Sequence, residues 1–235
     1  MTLGPRAVHV YSACVDPLAP YDQASWSLLD RHEQERAGRF VFDRDRAMFV
    51  AAHALLRTAL SRYADVAPHA WRFETNRFGK PSIDPVLGYA RLDFNLAHTS
   101  GLVACAISRS AVGIDVEALD RRVHAIEIAG RFFTSGEVAW LSAGPDDQRD
   151  LRFLELWTLK EAYLKAVGVG LSHSLNTFGF TVDDGGAIHF DPPEGDIGRW
   201  HFELHSPTDR HRLAVAIPVR NAEDAKSAEI SFHLI

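Results

Sequence analysis

The sequence is poor in cysteine: 235 residues contain two, Cys14 and Cys105. Two cysteines cannot build a disulfide framework. Both stand in apolar, strand-like surroundings, so a reducing cytoplasm is the expected context. Long apolar runs are missing as well. No segment approaches the roughly 18 apolar residues that span a bilayer. The stretch from Met1 to Val15 lacks a charged region followed by a long apolar one, so no targeting segment is expected. Positive charge is in deficit. A net charge of −6 argues against a bulk nucleic-acid binder, though not against a local basic pocket. The 12 histidines are scattered, and no pair has the spacing of a zinc site. No G-x-x-x-x-G-K-[ST] phosphate loop and no low-complexity stretch occurs.

The remaining composition is that of a soluble globular enzyme, with 46% hydrophobic and 24% charged residues, and the length suffices for one large domain or two small ones. Hydrophobic periodicity predicts a strand over Val8 to Val15, a helical stretch over Tyr21 to Ala37 and a helix over Asp43 to Tyr63. The last would bury Phe49, Ala52, Leu55, Leu56 and Leu60. A short strand (Trp71 to Glu74), a turn (Arg77 to Pro81) and three strands (Leu92 to Leu96, Leu102 to Ser108, Ala111 to Val116) follow. Helices resume near His124. Thr134-Ser-Gly-Glu137 reads as a capping box opening a helix to Leu141. A long helix over Asp146 to Val167 stops at Gly168. A hairpin around Asp183-Asp-Gly-Gly186 and strands over Trp200 to His205, His211 to Val219 and Ile230 to Leu234 close the chain. The order of helix, Gly-containing loop and strands occurs twice. The expected fold is α+β: two pseudo-duplicated halves, residues 1–110 and 111–235, each a long helix on an antiparallel sheet, with the active site at their interface.

Two segments carry chemistry. In the long helix, Trp157, Lys160, Glu161, Leu164, Lys165 and Gly168 recur at spacings that share a face. A core stripe would not hold three charges, and a solvated face has little use for Trp157 and Leu164. A site for a metal and a phosphate group accounts for both. In Val112-Gly-Ile-Asp115-Val-Glu117, residues two apart point the same way, so Asp115 and Glu117 project together from an apolar strand. Close carboxylates repel unless a cation lies between them, and oxygen ligands suit a hard ion such as Mg²⁺. Glu161 can supply a third carboxylate. Taken alone, the strand motif reads more readily as a solvated strand end with a salt bridge.

Gly113-Ile-Asp-Val-Glu117 followed by Trp157-x-x-Lys160-Glu161-x-x-x-Lys165-x-x-Gly168-x-Gly170-Leu171 resembles the signature pair of the 4′-phosphopantetheinyl transferases, in their longer, Sfp-type branch. Phe78-Gly-Lys-Pro81, Phe94-Asn-Leu-Ala-His-Thr99 and Arg131-Phe-Phe-Thr-Ser-Gly-Glu137 extend the likeness across residues 40 to 175. The resemblance implies transfer of the phosphopantetheine arm of coenzyme A to a serine of an apo acyl or peptidyl carrier protein. Adenosine 3′,5′-bisphosphate would be released. It implies Mg²⁺ on Asp115, Glu117 and Glu161. Lys165, with Lys160 beside it, would balance charge at the leaving phosphate, and Glu137 would take the serine proton. Glu137 also fits a helix cap, its reading from local sequence, and Glu127 reads as structural.

Coenzyme A would contact Arg46, Lys80, His98 and Thr99 together with Lys160 and Lys165. Arg46 has the alternative of an ordinary ion pair with Asp43, and His98 that of a strand-end hydrogen bond. The family often has serine where this chain has Ala97, so a hydroxyl toward coenzyme A would be missing there. Arg121, Arg122, Phe132 and Phe133 are candidates for the carrier-docking patch, although two phenylalanines also suit a core. The longer branch points by analogy to polyketide and non-ribosomal peptide carriers, and one chain holding both halves of the site points to a monomer. The competing readings are a non-catalytic carrier-protein or nucleotide-binding module of the same fold, and another Mg²⁺-dependent phosphoryl or nucleotidyl transferase.

Overall fold

One series of elements occurs twice along the chain in the computed structural model, which describes residues 3–16, 18–168, 174–183, 185–196 and 198–235. The first series is β1 (Ala7–Cys14), α1 (Gln23–Leu28), α2 (Arg31–Ala37), α3 (Asp43–Leu60), β2 (Phe73–Thr75), β3 (Pro81–Ile83), β4 (Asp93–Thr99) and β5 (Leu102–Ser108). The second is β6 (Gly113–Ala118), α4 (Ala125–Phe132), α5 (Ser135–Ala143), α6 (Arg149–Val167), β7 (Gly179–Val182), β8 (Ile188–Asp191), β9 (Arg199–Thr208) and β10 (His211–Val219). Each series is a strand, two short helices, a long helix, a two-stranded ribbon and a hairpin. A short α7 (Ala222–Lys226) and β11 (Glu229–Leu234) end the chain.

The strands form a sheet in the order β11-β1-β5-β4, a sheet in the order β6-β10-β9, and the ribbons β2-β3 and β7-β8. Side chains alternate across each strand. Tyr11, Phe94, Val103 and Cys105 face α3, where Ala52, Leu56 and Leu60 meet them. Val8, Val10, Ala104 and Ala106 face the second sheet, against Ile114, Val116, Leu213 and Val215. Leu159 and Ala162 of α6 cover the outer face of that sheet at Ala214 and Ala216. The result is four layers, helix, sheet, sheet and helix. It explains why β5 reads as an unbroken apolar run, since all seven of its residues are buried.

The α+β class and the duplicated halves agree with the sequence expectation. Some boundaries differ. The helical stretch expected over Tyr21 to Ala37 is two helices, because Asp30 is extended and caps α2: its carboxylate accepts from Glu33 N–H, and the Glu33 carboxylate accepts from Asp30 N–H. The long second-half helix begins at Arg149 after a 3₁₀ turn over Asp146–Gln148. β11 pairs in parallel with β1, so the last strand of the chain completes the first sheet. Cys14 is exposed, in contrast to its expected apolar setting, whereas Cys105 is buried. Gly170, Leu171 and Asp184 of the sequence motifs lie outside the described residues. No helix among the described residues is long and apolar enough to cross a membrane.

The two sheets meet where β4 runs beside β6. The strands make no backbone ladder; side chains of β4 take its place. The Asp93 Oδ2 accepts from Val112 N–H at 3.1 Å, Asn95 Oδ1 from Ile114 N–H at 2.9 Å, and Thr99 Oγ1 from Ala118 N–H at 3.2 Å. Ala97 holds the remaining position on this face, buried in the core that the sheets share. Its methyl group therefore faces that seam.

β6 also lies flat on α6. A Cβ added to Gly113 would come within 1.9 Å of Ala162 O and 2.4 Å of Ala166 N. Only hydrogen fits there, so Gly113→Ala must push the strand off the helix. It should destabilise the protein by about 1–3 kcal/mol, read from the urea midpoint. Gly130→Ala, in α4 where nothing lies within 4 Å of the added Cβ, should instead be neutral or stabilise by up to ~1 kcal/mol. Equal effects of the two substitutions would count against the close approach.

Candidate functional site

With β6 pressed on α6, the strand residues Asp115 and Glu117 come beside the helix residues Glu161 and Lys165. Lys165 Nζ lies 2.6 Å from Asp115 Oδ1. Asp115 is only 8% exposed, and its Oδ2 is buried without a hydrogen-bond partner. Arg121 Nη1 stands 3.5 Å from Glu117 Oε2. Glu161 makes no hydrogen bond or ion pair with the described residues.

Burial raises the proton affinity of all three carboxyls, and repulsion from Asp115 adds to it at Glu117 and Glu161. Asp115 is raised by burial despite Lys165. Glu161 is raised by burial and then by Asp115. Glu117 is pushed up to about 7 by burial, then by Asp115. A cluster of this kind is short of positive charge. Its donors are all oxygen and one of them is an orphan, which suits a small divalent cation. Among the described residues no three His, Cys, Asp or Glu side chains converge closely enough to hold a metal ion. The ammonium of Lys165 pairs with one oxygen of the cluster.

The first half faces this cluster with β4. Two cavities, of about 320 and 240 Å³, open beside it. The larger is lined by Arg44, Asp45, Met48 and His98, the smaller by Lys80, Leu96 and Lys165. His98 is exposed, yet partial burial of its ring and then the nearby Lys165 hold its pKa below the ordinary imidazole value. His53 and Arg36 act on it in the same direction. This end of β4 is thus a basic rim opposite the carboxylates. Arg44 and His53 had no signal in the sequence, because their nearness to His98 depends on how α3 packs under β4.

The other predicted contacts have partners within the fold, although Lys80 and Thr99 also line these two cavities. Lys80 Nζ lies 3.3 Å from both Val112 O and Ala166 O and 3.5 Å from Asp93 Oδ2. It ties β4, β6 and the end of α6 together. Arg46 pairs with Asp43 at 2.7 Å and donates to Ala37 O and Phe40 O, so the ordinary ion pair is present. Thr99 caps Ala118 N–H in the β4–β6 seam. His211 is a residue that sequence reasoning missed: its Nε2 lies 2.9 Å from Ser100 O, so it holds the turn after His98 against the second sheet.

Glu137 and Lys160, expected as base and phosphate contact, meet each other and nearby backbone and make no contact with the carboxylate cluster. Glu137 is 3% exposed and Lys160 fully buried. Glu137 Oε2 accepts from Thr134 N–H, Thr134 Oγ1–H and Lys160 Nζ, each at 2.9 Å. Its Oε1 accepts from Phe180 N–H at 2.9 Å. Lys160 Nζ donates further to Leu175 O and Phe178 O. Burial lowers the Lys160 pKa, and Glu137 opposes the shift. Of the four aromatic and basic residues expected on a docking patch, Phe133 is buried and stacks on Phe153. Phe132 is 48% exposed, and Arg122 is exposed.

The model of the 4′-phosphopantetheinyl transferase superfamily matches residues 111–216, and the model of the 4′-phosphopantetheinyl transferase N-terminal region matches residues 16–110. The 4′-phosphopantetheinyl transferase HetI of Nostoc sp. is 35% identical over 173 residues, 73% of each chain. The 4′-phosphopantetheinyl transferase Sfp of Bacillus subtilis is 32% identical over 168 residues, 72% of this chain and 73% of that one. Among solved structures, the holo-[acyl-carrier-protein] synthase of Thermotoga maritima aligns with a TM-score of 0.39 and 26% identity, over 47% of this chain and 64% of its own.

The raised Glu117 pKa gives the metal-free protein a distinct pH dependence. Its carboxyl titrates at about 7 in the fold against an ordinary 4.5. The folded state binds that proton more tightly than the unfolded chain does, so stability falls as pH rises from 4.5 to 7. Glu117→Gln removes this loss. In a chelating buffer the variant should exceed wild type by about 2–3 kcal/mol at pH 8 and match it near pH 4.5, measured by urea denaturation. A difference independent of pH would refute the shift.

Proposed function

This chain belongs to the 4′-phosphopantetheinyl transferase superfamily, and from that premise we propose that it moves the 4′-phosphopantetheine arm of coenzyme A to a serine of an apo acyl or peptidyl carrier protein, with Mg²⁺ and with release of adenosine 3′,5′-bisphosphate. The observation that carries the reading is the buried Asp115, with one oxygen unpartnered and the other on Lys165, beside Glu117 and Glu161. The names of the two curated relatives support the same activity.

Asp115, Glu117 and Glu161, which do not converge on one point as they stand, would draw together to hold the Mg²⁺, and the ion would supply charge neutralisation for a diphosphate. Lys165 is the one lysine at this cluster; exchanging Asp115 for a phosphate oxygen gives the leaving group a cation within reach. The rim of His98, Arg44 and Arg36 is the anion-binding side for the adenosine bisphosphate portion. In the transfer, a bond forms between the carrier serine Oγ and the phosphorus that bears the pantetheine. The bond from that phosphorus to the bridging oxygen breaks, and the bridging oxygen leaves with the second phosphate. The serine proton goes to a carboxylate of the open cluster. Glu161, which makes no hydrogen bond with the described residues, has an oxygen to spare for it beside the one it would give the cation.

The carrier would dock beside α4, where Phe132 and Arg122 stand exposed near β6. By analogy with the longer branch, its class would be a polyketide or non-ribosomal peptide carrier. Both sides of the site come from one chain, which suits a monomer in the cytoplasm.

Intact-mass spectrometry of an apo carrier incubated with the protein, coenzyme A and Mg²⁺ tests the reaction. The carrier should gain one phosphopantetheine with wild type, and nothing with Asp115→Ala or with chelator present. Bound coenzyme A without any gain, across several carrier types, would indicate a non-catalytic module instead. For docking, Arg122→Glu with Phe132→Ala should raise the KM for carrier about tenfold or more and leave the KM for coenzyme A unchanged. Arg121→Ala should change both, because Arg121 touches Glu117. An unchanged carrier KM would remove this face from the docking surface.

A further inference from the structure

Each half of the molecule contains one fully buried cation on its long helix, Arg57 on α3 and Lys160 on α6. Each cation meets a buried glutamate at the third position of a short helix: Glu33 in α2, Glu137 in α5. Both glutamates complete a capping box, with Asp30 and Thr134 as the partners. Arg57 Nε lies 2.8 Å from Glu33 Oε2, and Lys160 Nζ lies 2.9 Å from Glu137 Oε2.

The agreement extends to the backbone. Each cation donates to two carbonyls of the segment that leaves its helix. These are the first residue of a 3₁₀ turn and the residue that caps it: Pro68 and Trp71 for Arg57, Leu175 and Phe178 for Lys160. Each also lies over an aromatic ring of the following segment, Arg57 over Phe73 at 5.1 Å and Lys160 over Phe178 at 4.5 Å.

The first-half pair has no counterpart of the Asp115 cluster beside it; its further carboxylate, Asp30, accepts from Arg57 Nη2 at 2.8 Å and belongs to the same capping box. What the two pairs share is the task of locking a long helix to the short helix before it and the strand segment after it. The three N–H groups of Lys160 have three acceptors, Leu175 O, Phe178 O and Glu137, so none is left for a phosphate. Both oxygens of Glu137 are likewise taken.

We infer that Glu137 and Lys160 are positioning residues, the second copy of a buried clamp whose first copy is Glu33 and Arg57. In the second half the clamp fixes the rotation of α6, and so aims Glu161 and Lys165 at β6. The inference deepens the transferase reading and rests on it for its kinetic arm, but its stability arm stands without it.

The experiment compares Glu137→Gln and Glu33→Gln with wild type by thermal melting and by the pH dependence of carrier modification. Both variants should lose about 10 °C in Tm. At a temperature where it remains folded, Glu137→Gln should keep the pKa values of the wild-type kcat profile, and kcat should fall less than tenfold. A Glu137→Gln protein with unchanged Tm, kcat down more than a hundredfold and the acidic limb of the profile gone would overturn the inference and restore Glu137 as the base. Should Glu137→Gln fail to fold, Lys160→Arg decides, since the first half uses arginine at this place. A folded Lys160→Arg with kcat within tenfold of wild type and the same profile supports the clamp. A folded Lys160→Arg that is more than a hundredfold slower refutes it. A wild type that modifies no carrier, with both glutamine variants still losing Tm, would count against the transferase reading and leave the clamp in place.

Discussion

The candidate site exists because one strand is held from three sides. β6 has a normal backbone ladder with β10 on one edge. On its other edge, side chains of β4 do the work of a ladder. Its face rests on the backbone of α6 at Gly113, where no other side chain fits. Each contact fixes a different degree of freedom. The β10 register sets which residues of β6 point outward. The Gly113 contact sets their depth against Glu161 and Lys165. The β4 seam sets how far the basic rim at His98 stands from the carboxylates. Lys80 and His211, which touch Val112 and Ser100, brace the same junction from its two ends.

The molecule treats its buried acids in two ways, and the contrast separates architecture from chemistry. Glu33 and Glu137 have cations and N–H donors on both oxygens. A buried charge with every valence met is stable and inert. Asp115, Glu117 and Glu161 are only partly compensated. One oxygen of Asp115 has no partner, and all three carboxyls bind protons more tightly than usual. Such unmet demand costs stability, and it is what a cation or a phosphate-bearing substrate can satisfy. Perturbed groups mark functional sites for this reason.

The sequence made the class, the long helices and the strand with Asp115 and Glu117 legible, since each rests on local periodicity. The carboxylates and Lys165 were legible because charges on an otherwise apolar stripe have no local explanation. Lys160 misled by the same logic. It shares the stripe, but its partners Leu175 and Phe178 arrive from a segment whose path no local pattern reveals. Glu137 was ambiguous for a physical reason: a capping glutamate and a general base need the same residue type at a helix N-terminus. The break between α1 and α2 was readable, since Asp30-x-x-Glu33 is also a capping box, but helical periodicity on both sides masked it. The parallel pairing of β11 with β1 depends on chain path alone.

The duplication also indicates what distinguishes the half that carries the carboxylate cluster. Five residues beyond each clamp cation stands another basic residue, Arg62 after Arg57 and Lys165 after Lys160. Lys165 meets Asp115 on β6. Arg62 lies over the ring of Tyr11 on β1, the strand that holds the place of β6 in the first series. Tyr11 in turn shares a 2.6 Å hydrogen bond with Tyr63, whose hydroxyl lies 2.5 Å from His9. One scaffold therefore carries an aromatic hydroxyl network in one half and a carboxylate cluster in the other. The clamp is common to both because both long helices need the same orientation. The difference lies on the first strand of each series, where β1 presents the Tyr11 hydroxyl and β6 presents Asp115 and Glu117, whose charges are only partly met. On this scaffold the strand that carries charges its own half does not neutralise is thus the one with an open demand for a cation or a phosphate partner.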